Sequence, residues 1–259
     1  MSDNKAPVLF IGHGSPKNII YNNDYTKSLK ELGNSLPKPD AVLVVSAHWL
    51  TEGTYVCTAD MPEQIYDFYG FPDELYGIKY HPPGARTVSE SITQELKSDN
   101  IKADNNWGID HASWAVLTHM YPRADIPVFE MSLNIKKNER EHYNLGKKLS
   151  YLRRKNILII GSGNIVHNLR QVDFDENAEP FPWAIEFDEY IKDALLRKEH
   201  DRLLRYRELS PVSRLAVPTN DHYLPFLYSA ALQEEDEQIE FVHESIQNGS
   251  MSMRCFKIH

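Results

Sequence analysis

Hydrophobic residues in this chain come in short unbroken runs separated by longer amphipathic stretches. Pro7-Val8-Leu9-Phe10-Ile11, Ala41-Val42-Leu43-Val44-Val45-Ser46, Ile126 to Ser132 and Asn156-Ile157-Leu158-Ile159-Ile160-Gly161 are apolar on both sides of an extended backbone. Such runs suit strands covered on both faces, as in a parallel sheet. Asp24 to Leu36, Gly84 to Lys97, Asn138 to Arg154, Trp183 to Leu196 and Pro225 to Gln233 read as helices, the last opened by a proline in its first turn. Shorter strands are expected at Thr54 to Thr58, Ile239 to Val242 and Ser252 to Phe256. Tyr66 to Pro83 is aromatic, rich in proline and without period, and reads as a surface loop or lid. With no repeat, low-complexity tract or flexible linker, the alternation predicts a single α/β domain over residues 1–259. Its central sheet should be mostly parallel or mixed and flanked by helices on both faces, because helical crossovers favour parallel neighbours.

Composition narrows the class. With 41% hydrophobic and 25% charged residues in 259, the chain is neither disordered nor a coiled coil. A net charge of -9 argues against nucleic acid as a partner, since phosphate binding is carried by basic surface. Cys57 and Cys255 are too few for a disulfide framework or a Cys-rich zinc site, and no signal-peptide core follows Met1, so a cytoplasmic protein is expected. No apolar run approaches the ~20 residues of a membrane helix. A homo-oligomer stays open.

The histidines add chemistry. His13 directly follows the first run, in Gly12-His13-Gly14-Ser15-Pro16, and His48 closes the second, in Ser46-Ala47-His48-Trp49. Ligands of open α/β sheets bind outside the carboxyl ends of the strands, so these two can converge. His167 follows the run at 156–161 in Gly161-Ser162-Gly163-Asn164-Ile165-Val166-His167-Asn168, whose small residues allow a tight turn or a close approach to a ligand. His222 stands in Asp221-His222-Tyr223-Leu224-Pro225, and His111 beside Asp110, where a neighbouring carboxylate can fix a tautomer. Any one of these alone reads as a structural hydrogen bonder; their joint placement points to a site. His81, His119, His142, His200, His243 and His259 lack such placement. The glycines do not complete G-x-G-x-x-G, and neither H-E-x-x-H nor the G-x-S-x-G elbow occurs. Three or four neutral imidazoles at strand ends suit a divalent transition metal such as iron or zinc.

Taken together and in order, the five segments around His13, His48, His111, His167 and His222 resemble the class III extradiol ring-cleavage dioxygenases. Their order and spacing are most similar to the 4,5-DOPA dioxygenase extradiol branch, from about Val8 to Pro225. The resemblance implies a non-haem Fe(II) enzyme that binds a small catechol and O2 and cleaves the ring beside the diol. It implies His13, His48 and His222 as metal ligands, the last where relatives outside the branch supply a glutamate. His167 matches the acid/base histidine and His111 a second histidine near substrate and oxygen. The resemblance also allows Zn(II), with His167 as a fourth ligand. Ser15 and Tyr223 flank ligands and are candidates to reach the substrate, with local capping or packing equally open to them. The aromatic stretch Tyr66 to Tyr80 would cover the ring. Two other readings use the same residues: a zinc hydrolase with His167 as base for bound water, and a non-enzymatic binding protein on the same scaffold.

Overall fold

The four apolar runs form the centre of an eight-stranded sheet in the computed structural model, which describes residues 5–175 and 177–259. The strands are β1 (Val8–Gly12), β2 (Ala41–Thr51), β3 (Thr54–Cys57), β4 (Ile101–Asp104), β5 (Val128–Asn134), β6 (Ile157–Gly163), β7 (Ile239–His243), β8 (Ile246–Gln247), β9 (Met251–Ser252) and β10 (Cys255–Ile258). Their order in the main sheet is β4-β3-β5-β2-β6-β1-β10-β7, and β8 pairs with β9 separately. The central four, β5-β2-β6-β1, are parallel. The sheet becomes mixed at its margins, where β3 opposes β5, β10 opposes β1 and β7 opposes β10.

Successive residues of a strand point to opposite faces, and here they feed two cores. Val8, Phe10, Leu43, Val45, Ile157 and Ile159 enter one; Leu9, Ile11, Val42, Val44, Leu158 and Ile160 enter the other. The helices are α1 (Asp24–Ser35), α2 (Asp73–Gly77), α3 (Arg86–Glu95), α4 (His111–Met120), α5 (Glu139–Lys148), α6 (Pro182–Leu196), α7 (His200–Leu204), α8 (Tyr206–Leu209), α9 (Ser213–Ala216) and α10 (Leu224–Ala231). Leu145 of α5, Phe187 of α6 and Phe226 of α10 seal the first core, and Leu29 of α1 with Trp114 of α4 the second. Side chains fix where α1 and α5 begin: Asn23 with Thr26, and Asn138 with Glu141, form reciprocal capping boxes. Among the described residues no helix is long and apolar enough to cross a membrane.

The predicted alternation holds, with differences that have physical causes. β2 continues past His48 to Thr51, and its pairing with β5 shifts register between Val45 and Leu50, so His48 sits inside an irregular strand end rather than closing the strand. The helix expected over 138–154 tightens into a 3-10 turn at Leu149–Lys155 and stops at Asn156, whose φ of 55° is left-handed. The pattern does not reveal α4 because eight of its ten residues are buried, leaving no polar face to make a period. The stretch from Tyr66 to Pro83 is no free surface loop: it contains α2 and sends Phe68, Leu75 and Tyr80 into the second core.

Candidate active site

Three neighbouring parallel strands, β2, β6 and β1, deliver their carboxyl ends side by side. His13 leaves β1 with its N–H donating to the Gly163 carbonyl at 3.1 Å, which ties it to the end of β6. His48 lies near the end of β2, and His167 follows β6 after a short turn. The N–H of Asn164 donates to the His222 carbonyl at 2.9 Å, drawing the segment before α10 onto the same sheet end. A Cβ at Gly163 would stand 2.2 Å from that carbonyl oxygen, so the glycine permits a close approach of chain to chain rather than to a ligand. His111 is the first residue of α4.

The outward nitrogens of two metal-ligand candidates are hydrogen-bonded, and a carboxylate stands beside the third. Ser162 donates its hydroxyl proton to the Ala112 carbonyl at 2.6 Å, which leaves its oxygen to accept from His13 Nδ1–H at 3.1 Å. Asp221 accepts from His222 Nδ1–H at 2.5 Å. Asp67 Oδ2 lies 3.2 Å from His48 Nδ1. A neutral imidazole that donates through Nδ1 keeps its lone pair on Nε2, so the rings of His13 and His222 present acceptors inward. One nitrogen from each of the three comes within 4.8 Å of the others, and Nε2 of His13 and of His48 are 3.2 Å apart. At that distance either one neutral ring donates its Nε2–H to the other or a cation joins the two. Burial first, then the neighbouring imidazoles, holds His13 and His48 well below the ordinary histidine range, so neither ring takes the second proton of an imidazolium. Three converging imidazole nitrogens that resist protonation fit a divalent metal ion.

His111 and His167 flank this group. The His111 ring lies 4.2 Å from that of His48, its Nδ1–H donates to Asp67 Oδ2 at 2.8 Å, and Phe68 meets it edge to face at 5.6 Å. His167 is stacked on His222, and its nitrogens fall outside the group of close donor atoms. Burial, followed by His222, keeps the His167 ring well below its ordinary range. Both carboxylates that hold imidazoles are ionised readily: burial works to raise Asp67 and Asp221, and the hydrogen bonds from His111 and His222 outweigh it.

Other expected site residues have further partners. Tyr223 is fully buried, its hydroxyl donates to the Leu203 carbonyl at 3.0 Å, and its ring packs on Tyr206 and Phe226, so it points into the core and away from any substrate. Adjacent to His222 in sequence, it leaves the backbone in another direction. Ser15 caps the 3-10 turn Pro16–Ile19 by accepting from the Lys17 N–H. Asp110 caps α4 through the Ala112 N–H at 2.9 Å and accepts from Ser46 at 2.6 Å, so it does not serve the ring of His111. Burial, then the nearby Glu130 carboxyl, raises Asp110 well above its usual range. The carboxylate that serves His111 is Asp67, which sequence reasoning passed over. A single acid within Ile65-Tyr66-Asp67-Phe68-Tyr69 was the available signal, since an apolar run tolerates a charge only with a partner.

Residues 6–254 match the family described as the catalytic LigB subunit of aromatic ring-opening dioxygenase. The chain is 41% identical over 262 residues to the 4,5-DOPA dioxygenase extradiol of Escherichia coli (strain K12), an alignment covering 100% of this chain and 96% of that one. It is 34% identical over 267 residues to the 4,5-DOPA dioxygenase extradiol of Beta vulgaris, covering 98% and 97% of the two. The crystal structure of an uncharacterized protein from Escherichia coli K12 superposes with a TM-score of 0.87 at 38% identity, over 98% of this chain and 100% of that one. With matches of this extent and a histidine cluster at the strand ends, the chain belongs to the LigB family of extradiol ring-cleaving dioxygenases.

Proposed function

We propose that this dioxygenase opens the ring of a small single-ring catechol of the DOPA type, with Fe(II) held by His13, His48 and His222. The observation that carries this reading is the trio of buried or half-buried imidazoles that bring one nitrogen each within 4.8 Å of the others, with His13 and His222 tied outward through Nδ1. The names of the relatives support the choice of catechol. In the overall reaction the carbon–carbon bond beside the diol breaks and both atoms of O2 enter the product, so the substrate supplies all the electrons. A bound ferrous ion supplies Lewis acidity toward the hydroxyls and a redox partner for oxygen; Zn(II) fits the same imidazoles but lacks the second property.

The remaining work falls to side chains. His167, neutral at neutral pH, takes a proton from a catechol hydroxyl and returns it when the ring opens. His111 has its Nδ1 committed to Asp67, which leaves Nε2 to hydrogen-bond the oxygen or the charge that develops on the substrate. Phe68 and its aromatic neighbours supply an apolar wall beside His111 that excludes water. Residues 1–259 act as one catalytic domain, and the two free, buried cysteines accord with a reducing, cytoplasmic setting.

The test is anaerobic loading with Fe(II), followed by oxygen and a panel of catechols including DOPA. A coloured ring-opened product with one equivalent of oxygen consumed, absent from the zinc-loaded protein, is the expected result. An iron-loaded enzyme that consumes no oxygen with any catechol, while the zinc form hydrolyses esters or amides, would replace this reading with a zinc hydrolase.

A further inference from the structure

Two carboxyl groups meet at the start of α4 and are served by neutral donors. Asp110, the cap of α4, and Glu130 of β5 are both fully buried. Glu130 Oε1 accepts from the Asp110 N–H at 2.8 Å and from the Ser113 hydroxyl, and Oε2 accepts from Trp107 Nε1–H at 2.8 Å. Asp110 Oδ1 accepts from the Ala112 N–H at 2.9 Å, and Oδ2 from the Ser46 hydroxyl at 2.6 Å. The two carboxyls also hydrogen-bond each other, while Asp67 faces Asp110 and the Cys57 thiol faces Glu130. Two ionised carboxylates have no proton to give, and burial leaves their repulsion poorly screened, so a hydrogen bond between them requires that one be protonated. Glu130 accepts from three donors and Asp110 from two, which favours the charge on Glu130 and the proton on Asp110. Burial raises both groups, Glu130 to about 7 and Asp110 well above its usual range.

The pair sits where it can fix His111. Three successive N–H groups at the start of α4 end on three carboxyls: that of Asp110 on Glu130, that of His111 on Asp67 and that of Ala112 on Asp110. The Ser46 hydroxyl that donates to Asp110 also accepts the His48 N–H at 3.0 Å, which ties the same turn to β2. We propose that Asp110 and Glu130 share a single proton, carried by Asp110 and donated to Glu130, and that this acid pair is a positioning device that fixes His111 at the first turn of α4. This rests on the reading above, in which His111 faces substrate and oxygen. With both groups ionised, repulsion would drive Asp110 off the start of α4; with both neutral, Glu130 would weaken as an acceptor for its three donors. Asparagine at 110 reproduces the protonated acid, since its carbonyl can cap Ala112 while its NH2 donates to Glu130. Glutamine at 130 does not reproduce the carboxylate, because its NH2 meets either the Asp110 N–H or Trp107 Nε1–H, donor against donor.

Infrared spectroscopy of the metal-free full-length protein, just above neutral pH, tests the proton directly. The wild type should show the C=O stretch of a buried protonated carboxyl. Labelling aspartate carboxyls with 13C should lower its frequency, labelling glutamate carboxyls should not, and Asp110→Asn should remove it. No such band, or a band that moves with the glutamate label, would overturn the proposal without any variant. Imidazole 1H–15N spectra read the positioning: in Glu130→Gln the His111 signals should shift more than those of His13 and His222, and more than they do in Asp110→Asn. His111 signals unmoved in Glu130→Gln, or moved as far by Asp110→Asn, would overturn the positioning role. In the iron-loaded enzyme, Glu130→Gln should lose turnover by up to about 10²-fold with metal content unchanged, and Asp110→Asn should keep it. Since the proton and the ring signals are read without metal, oxygen or catechol, failure of catechol cleavage would count against the functional reading alone.

Discussion

His167 lies flat against His222, with ring centroids 3.6 Å apart and planes 7° from parallel. The stack holds a neutral base beside the metal-holding group without adding its nitrogens to that group. His167→Ala should therefore retain bound metal and lose turnover by about 10²- to 10⁴-fold, the usual share of a general acid–base group. His48→Ala should lose the metal itself. Metal analysis and oxygen-uptake rates on the two purified variants separate the roles, and metal loss in His167→Ala would make that residue a ligand.

Asp221 is expected to matter for affinity rather than for chemistry. Its hydrogen bond to His222 Nδ1 orients the ring and raises its basicity as a ligand. Asp221→Asn should weaken metal binding by about 10- to 100-fold, with turnover restored at saturating metal. Competition against a chelator of known affinity measures the first, and rates against added metal the second.

Gly163→Ala should damage the site from behind. The added methyl would lie 2.2 Å from the His222 carbonyl oxygen, and neither backbone can yield without moving a candidate ligand. Overpacking of this kind costs about 1–3 kcal/mol. Urea unfolding should show that loss, and metal occupancy should fall with it.

His142 gives a pH signature remote from the site. Its Nε2–H donates to the Asn134 carbonyl and its Nδ1 accepts from the Tyr228 hydroxyl, an arrangement that requires the neutral ring. Burial is the main cause that pushes its pKa down from 6.5 to about 4. Below pH 6.5 the unfolded chain binds a proton that the folded chain refuses, so this stabilisation is complete above 6.5 and is lost as pH falls toward 4. The loss should approach about 3 kcal/mol. Glutamine at 142 can make both hydrogen bonds without titrating, so the advantage of the wild type over His142→Gln should shrink across that window in urea titrations of the metal-free protein.

The parts of the fold legible in sequence are those whose environment repeats along the chain. β1, β2 and β6 are apolar on both faces because helices cover both, and α1 shows a stripe because only one side is covered. α4 is hidden by being buried nearly all round, and β4, with two exposed residues of four, carries too short a signal. The site histidines are legible because strand ends are the place where such sheets bind ligands. Ser162 and Asp67 are not, because what they do depends on partners brought near by tertiary folding, and Tyr223 shows that adjacency to a site residue says nothing about direction.

The strand order β2-β6-β1 sets a strand from the middle of the sequence between two from its first fifth, and the site they carry also draws in His222, more than 200 residues after His13. Closing loops of that length carries an entropic penalty before any contact rewards it, which makes such pairings late events in folding. The metal-holding nitrogens can thus meet only after the central sheet is complete. An ion captured there cannot speed the search for the fold, but it must leave, or be carried along, before β1 and β6 can separate. Metal uptake in this protein should act as a latch on unfolding, lengthening the lifetime of the native state while leaving the rate of its formation nearly untouched.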